Sequence, residues 1–187
     1  MSKWNNIKLG DLNEFRSETI NPVRYESQTF ELYSVPAYEA GLPEIVRGCE
    51  IGSSKQRVQE GDVLLCKINP RINRVWHVIR HTDHSLIASS EWIVIRSNKA
   101  YPQYLLWCLR SKSFREKIVL NVTGIGGSLT RAQPKTVAQY EIPLPPVSKQ
   151  WEIAATLDTV SEILRLRKAQ LAELDNLVKS QFIEMFG

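Results

Sequence analysis

His77, His81 and His84 stand four and three residues apart, a spacing that would place three metal ligands on one helical face. The segment around His77 reads as a strand, however, and the other two fall in the polar run His81-Thr82-Asp83-His84. Surface or hydrogen-bonded histidines are the expectation there. Glu60 and Asp62, with Lys67 nearby, come nearest to the acidic set plus lysine of a metal-dependent nuclease, but Gly61-Asp62 is equally explained as a turn into a strand. Gly124-Ile125-Gly126-Gly127-Ser128 is the nearest thing to a phosphate cradle. It lacks the preceding strand, the following helix and the placed lysine, and reads as a flexible or tightly turning loop. Asn69-Pro70-Arg71 is only superficially like the Asn/Asp-Pro-Pro-aromatic motif of methyl transfer, and no Gly-x-Ser-x-Gly nucleophile occurs. Cys49, Cys66 and Cys108 form no C-x-x-C pair, so buried thiols are expected rather than a disulfide framework or zinc knuckle. No catalytic constellation emerges.

Recognition chemistry is better represented. Seven basic residues, Arg47, Lys55, Arg57, Lys67, Arg71, Arg74 and Arg80, face only Glu50, Glu60 and Asp62 over the same stretch, with Asn69, Asn73 and Trp76 interleaved. A second group, Ser128, Thr130, Arg131, Gln133 and Lys135, follows the glycine cluster. Arg and Lys neutralise phosphates, Arg can bind guanine bidentately, and Asn can bind adenine bidentately. The candidate DNA contacts are therefore Lys55, Arg57, Lys67, Asn69, Arg71, Asn73, Arg74, Ser128, Thr130, Arg131 and Lys135. Residues 1–147 hold 19 Lys+Arg against 14 Asp+Glu, whereas 148–187 hold 5 against 6, so the positive charge lies in the first part.

Two parts must position these groups. Ile142-Pro143-Leu144-Pro145-Pro146-Val147-Ser148 forms the joint, since three prolines in four positions continue neither a helix nor a central strand. Ser148 offers a hydroxyl at the N-cap position of the long segment behind it. Ile153, Leu157, Val160, Leu164, Leu171, Leu174 and Val178 then recur at steps of four and three, with polar residues Arg167 and Gln181 in the gaps. This period belongs to a coiled coil or long helix pair, about 55–60 Å long. Such a stripe needs a partner helix, the alternative being that it folds back over its own domain. Before the joint the texture is mixed α/β. Val63 to Ile68, Arg74 to Arg80 and Leu86 to Arg96 read as strands, and Pro102 to Ile118 as helix. The polar start and the lack of a long apolar run predict a soluble, cytoplasmic protein.

With these segments in place, the chain resembles the specificity subunits of type I restriction–modification systems. The resemblance is carried by Trp4 with Lys8-Leu9-Gly10-Asp11, by Gly61-Asp62-Val63-Leu64-Leu65 leading to Lys67-Ile68-Asn69-Pro70, and by Ser90-Glu91, Tyr104-Leu105, Gly126 and Gly127. It ends in Ile142-Pro143-Leu144-Pro145-Pro146, Gln150, Ile153-Ala154, Leu157-Asp158 and the closing Phe182 and Phe186. The Ile-Pro-Leu-Pro-Pro entry into a long helix is the most specific of these. Ser148-Lys149 departs from the pattern, where acidic residues are common.

The resemblance implies an α/β (α+β) target recognition domain at 1–146 and a spacer helix at 147–187. It also implies a non-catalytic subunit bound to double-stranded DNA, to methyltransferase and to endonuclease subunits, S-adenosylmethionine, ATP and Mg belonging to those partners. Usual members carry two such units with antiparallel helices, so this single unit is expected to be a half subunit that pairs as a homodimer, or the amino-terminal half of a longer subunit. The rival readings are a small nuclease or methyltransferase domain and a coiled-coil adaptor without a DNA role.

Overall fold

Short apolar runs, punctuated by prolines and glycines, give ten strands and five helices in a computed structural model that describes residues 4–121 and 130–186. In chain order these are β1 (Asn6–Lys8), α1 (Leu9–Leu12), β2 (Thr19–Ile20), β3 (Thr29–Tyr33), β4 (Glu44–Arg47), β5 (Lys55–Arg57), β6 (Val63–Cys66) and β7 (Val75–His77). There follow β8 (Ser85–Ser89), β9 (Trp92–Ile95), α2 (Pro102–Arg110), α3 (Lys112–Leu120), α4 (Pro134–Val137), β10 (Glu141–Pro143) and α5 (Val147–Phe186). The fold is thus a mixed sheet and helix domain followed by one long helix.

Three sheets build the domain. The largest has the order β2-β5-β8-β3-β4, antiparallel except for the parallel pair β3–β8. The second is the antiparallel set β7-β6-β9. The third pairs β1 with β10, Ile7 opposite Ile142, and so ties the start of the domain to the joint before the long helix. Pro143 is tolerated because it ends a strand at a sheet edge.

β6 is buried along its whole length because both of its faces are covered. Val63 and Leu65 point toward a core with Leu105, Leu109 and Phe114 of the helices, while Leu64 and Cys66 join Tyr33, Trp76 and Trp92 on the opposite side. This alternation follows from the period of two in a strand. The aromatic side is anchored by Trp92 Nε1, which donates to Tyr33 O at 2.8 Å, and by Trp76 edge-on to Tyr33 at 4.7 Å. Glu31 is fully buried on β3 and accepts from the amides of His81 and Thr82 and from the Thr82 hydroxyl, which pins the β7–β8 connection.

Four expectations change in detail. The stretch Leu86 to Arg96 is two strands, β8 and β9, which turn at Ser90-Glu91 and enter different sheets. The helical stretch from Pro102 is two helices, because Ser111 adopts an extended conformation and its hydroxyl accepts from Phe114 N to start α3. Ser148 lies inside α5 rather than capping it, the first turn being closed by Pro146 O, which accepts from Lys149 N and Gln150 N. Among the thiols Cys66 is buried and Cys108 half-buried, but Cys49 is exposed. Its neighbour Gly48 is buried, and a Cβ there would sit 2.2 Å from the Tyr25 carbonyl oxygen.

Candidate nucleic-acid interface

The connection from β6 to β7, Lys67 to Arg74, carries three of the basic residues singled out above, Lys67, Arg71 and Arg74. It is a tight, fixed turn. Pro70–Ile72 form one turn of 3-10 helix between Asn69 and Asn73, whose φ angles of 44° and 52° are left-handed. Asn is among the few residues with a side chain that enter this region readily. Ile72 N donates to Asn69 O, Asn73 N donates to Pro70 O, and Cys66 N donates to Arg74 O at the base of the hairpin.

The second basic group meets the first here. Asn69 N donates to Thr130 O at 3.0 Å, Ala132 N donates to Lys67 O at 2.8 Å, and Ile68 is bridged to Arg131. Lys67 N also donates to Glu91 O in the β8–β9 turn, while the Glu91 carboxylate accepts from Arg131 at 2.9 Å. Segments about 60 residues apart in sequence thereby form one surface. Arg71 and Arg131 are exposed on it, Lys67 and Asn69 are half-buried, and Lys135 is exposed on α4, four residues beyond Arg131.

The remaining predicted residues are placed differently. Thr130 is buried, so its backbone rather than its hydroxyl supports the cluster. Asn73 Nδ2 donates to Arg110 O, and its Oδ1 is buried with no partner among the described residues. Its amide edge is therefore turned inward, and the left-handed backbone accounts for the residue type. Arg74 is paired with Glu39 at 3.0 Å and largely covered. Lys55 and Arg57 lie on β5, in the other sheet. The Lys55 ammonium is held by Ser53 Oγ at 2.6 Å and Ser53 O, and burial pushes its pKa down. Arg57 pairs with Glu18 at 2.7 Å. Ser128 lies outside the described residues.

Two cations escaped the sequence reading. Lys112 and Arg115 on α3 line a cleft of about 600 Å³ with Arg71, Glu116, Val119 and Leu120. The signal was the polar face of the helix, visible as Lys112, Arg115 and Glu116 around the apolar Phe114 and Ile118. Asp62, weighed above as a nuclease carboxylate, is fully buried. Both its oxygens accept from Arg96, at 2.7 and 2.8 Å, and Oδ2 also accepts from Gln59 N. His77 bonds Gln103 Oε1 through Nδ1 at 3.1 Å. Since the Gln103 amide nitrogen donates to Asp158 at 2.6 Å, the oxygen must accept and His77 Nδ1 carries the proton.

α5 leaves the domain after about three turns. Gln150 and Ala154 are its buried residues. Gln150 Oε1 accepts from Tyr101 N at 2.8 Å, Trp151 stacks on Tyr101, and Asp158 also accepts from Trp107 Nε1 at 2.8 Å. Ile153 and Leu157, the first two seam positions, line a cleft with Trp4, Trp107 and Ile142 of the same chain. From Val160 the stripe is bare, with Leu164 57% and Leu171 63% exposed, so the helix does not fold back over its own domain. Leu174 and Val178 continue it.

Among the described residues no helix is long and apolar enough to cross a membrane. The chain is similar in fold to the HsdS subunit from Thermoanaerobacter tengcongensis, with a TM-score of 0.76 and 24% identity over 91% of this chain and 45% of that one. A second solved chain, from work on complex assembly and conformational transition of the type I restriction–modification system, gives 0.77 and 24% over 98% and 50%. The chain thus spans about half the length of these structures. No curated protein matches it. Residues 1–176 match the model of the type I restriction modification DNA specificity domain, and the chain belongs to that family.

Proposed function

We propose that this chain reads one half of a two-part DNA target for a restriction–modification complex and catalyses no reaction itself. The observation that carries the reading is the meeting of Lys67, Arg71 and Arg131 on one surface, held by backbone bonds between the β6–β7 turn and the segment from Thr130 to Ala132. Cations fixed on a rigid support hold phosphates and so set the register in which other side chains meet the bases. The bare stripe of α5 pairs with the same helix of a second copy, and closed twofold symmetry then presents two inverted half-sites. Methyltransferase and endonuclease subunits act at or from the chosen site in the cytoplasm, and S-adenosylmethionine, ATP and magnesium are theirs. The nuclease alternative is disfavoured by Asp62, whose oxygens are engaged by Arg96.

Selection of duplexes from a randomised pool by the purified chain tests the proposal. A defined enriched sequence is expected, with affinity falling steeply as salt rises. Recovery of no preferred sequence would overturn it.

A further inference from the structure

We propose that Arg71 and Ile72 are base-reading residues of this domain, Arg71 set against a guanine edge and Ile72 against the methyl group of a neighbouring thymine in the major groove. The inference rests on the DNA-recognition reading above and narrows it to two side chains.

Three features single out this turn. Its backbone breaks local rules at both ends, since Asn69 and Asn73 are the non-glycine residues with left-handed φ among the described ones. A buried acceptor at the same place, Asn73 Oδ1, has no partner among the described residues. Such departures from local stability concentrate where a surface is shaped for a ligand. The turn is nevertheless fixed, through Asn69 N to Thr130 O, Ile72 N to Asn69 O, Asn73 N to Pro70 O and Asn73 Nδ2 to Arg110 O. A reading head held in this way loses little conformational freedom on binding.

The side chains it presents are the second feature. Arg57, Arg74, Arg96 and Arg131 each meet a carboxylate within 3 Å. Arg71 is exposed and has no ion pair among the described residues, although Glu116 borders the same cleft. Its guanidinium fork matches guanine O6 and N7. Ile72 is 48% exposed beside it, an apolar group at the tip of a polar hairpin, and contact with a thymine methyl would remove that surface from water.

The third feature is the flanking charge. Lys112 and Arg115 line the same cleft as Arg71, while Lys67 and Arg131 lie at the base of the turn. Cations beside the tip and at its base can hold phosphates while the tip enters a groove about 12 Å wide.

The test repeats the duplex selection with Arg71→Ala, Arg71→Lys, Ile72→Ala and the double variant Lys112→Ala with Arg115→Ala, each first shown to unfold at the temperature of the unaltered chain. Both Arg71 variants are expected to lose roughly ten- to hundredfold discrimination for guanine at one position and to keep the rest of the sequence. Arg71→Lys retains the charge, so its loss isolates the fork. The double variant is expected to select the same sequence, with the slope of log affinity against log salt reduced by about 0.9 for each phosphate no longer neutralised. Replacing the adjacent thymine by uracil should weaken the unaltered chain severalfold and leave Ile72→Ala unaffected. If the Arg71 variants select the same sequence with undiminished stringency, Arg71 is a phosphate contact and the inference is wrong while the recognition reading stands. If uracil weakens the unaltered chain and Ile72→Ala alike, Ile72 does not read the methyl. Failure of the unaltered chain to select any sequence would remove the recognition reading and this inference together.

Discussion

Arg96 and Asp62 form the most consequential side-chain pair in the domain. Asp62 has no exposure, and its carboxylate is neutralised by a two-point contact from Arg96, which follows the end of β9 where that strand pairs with β6. The same contact raises the Arg96 pKa, the hydrogen bond to Asp62 being the largest cause. Removing one member strands a buried charge, which costs about 3–5 kcal/mol where no other group compensates. Arg96→Met is expected to fall near the lower end of that range, since Gln59 N still serves one oxygen, and denaturant midpoints will measure it. His77 gives a second check through pH. Burial, the largest cause, holds its pKa below the ordinary 6.5, against the opposing effects of Gln103, Glu60 and Asp158. The folded chain then takes up this proton less readily than the unfolded one, so the stability involved is whole above about pH 6.5 and is lost as pH falls below it. Exchanging His77→Gln should flatten the decline in urea midpoint between about pH 7.5 and 5.5. An unchanged decline would place that titration elsewhere.

Among the elements, α5 leaves the longest row of apolar side chains exposed. Burying a leucine contributes about 1.5–3 kcal/mol, and the stripe from Leu164 through Leu171 and Leu174 to Val178 leaves its apolar side chains exposed. Self-association is therefore expected, and Leu164→Glu with Leu171→Glu should yield a monomer whose domain retains its unfolding temperature, as sedimentation and thermal unfolding will show. A monomer at high micromolar concentration in the unaltered chain would contradict it. The helix was legible from its seam and the strands around Val63 and Val75 from their β-branched runs, whereas Leu86 to Arg96 reads as one stretch and is two strands in different sheets, because the turn at Ser90-Glu91 carries no Gly or Pro to mark it. The first 60 residues were not, because β2 to β5 are two to five residues long and are separated by single 3-10 turns. Glu31 in the middle of β3 further hides that strand, its charge being satisfied only by a loop 50 residues later. The site was legible in the same uneven way. The cations can be read from the sequence, but Glu39 and Glu91, which occupy Arg74 and Arg131, lie 35 and 40 residues away. Ile153 and Leu157 fit the seam by spacing, yet they face the chain's own Trp107, because the first turns of α5 must rest on α2.

At the scale of the whole molecule, the domain holds its basic turn at one place and α5, some 60 Å long, carries a sticky stripe away from it. Two copies joined along that stripe would present two identical reading surfaces at a fixed separation, which the DNA must match with inverted half-sites divided by a constant number of unread base pairs. Every part of this picture depends on the chain itself choosing the sequence. The decisive measurement is sequencing of methylated adenines in cells that carry the complex, with and without the gene for this chain. Methylation confined to one interrupted palindrome, and gone when the chain is absent, is the predicted result. Methylation at an unchanged sequence in cells lacking the chain would contradict it.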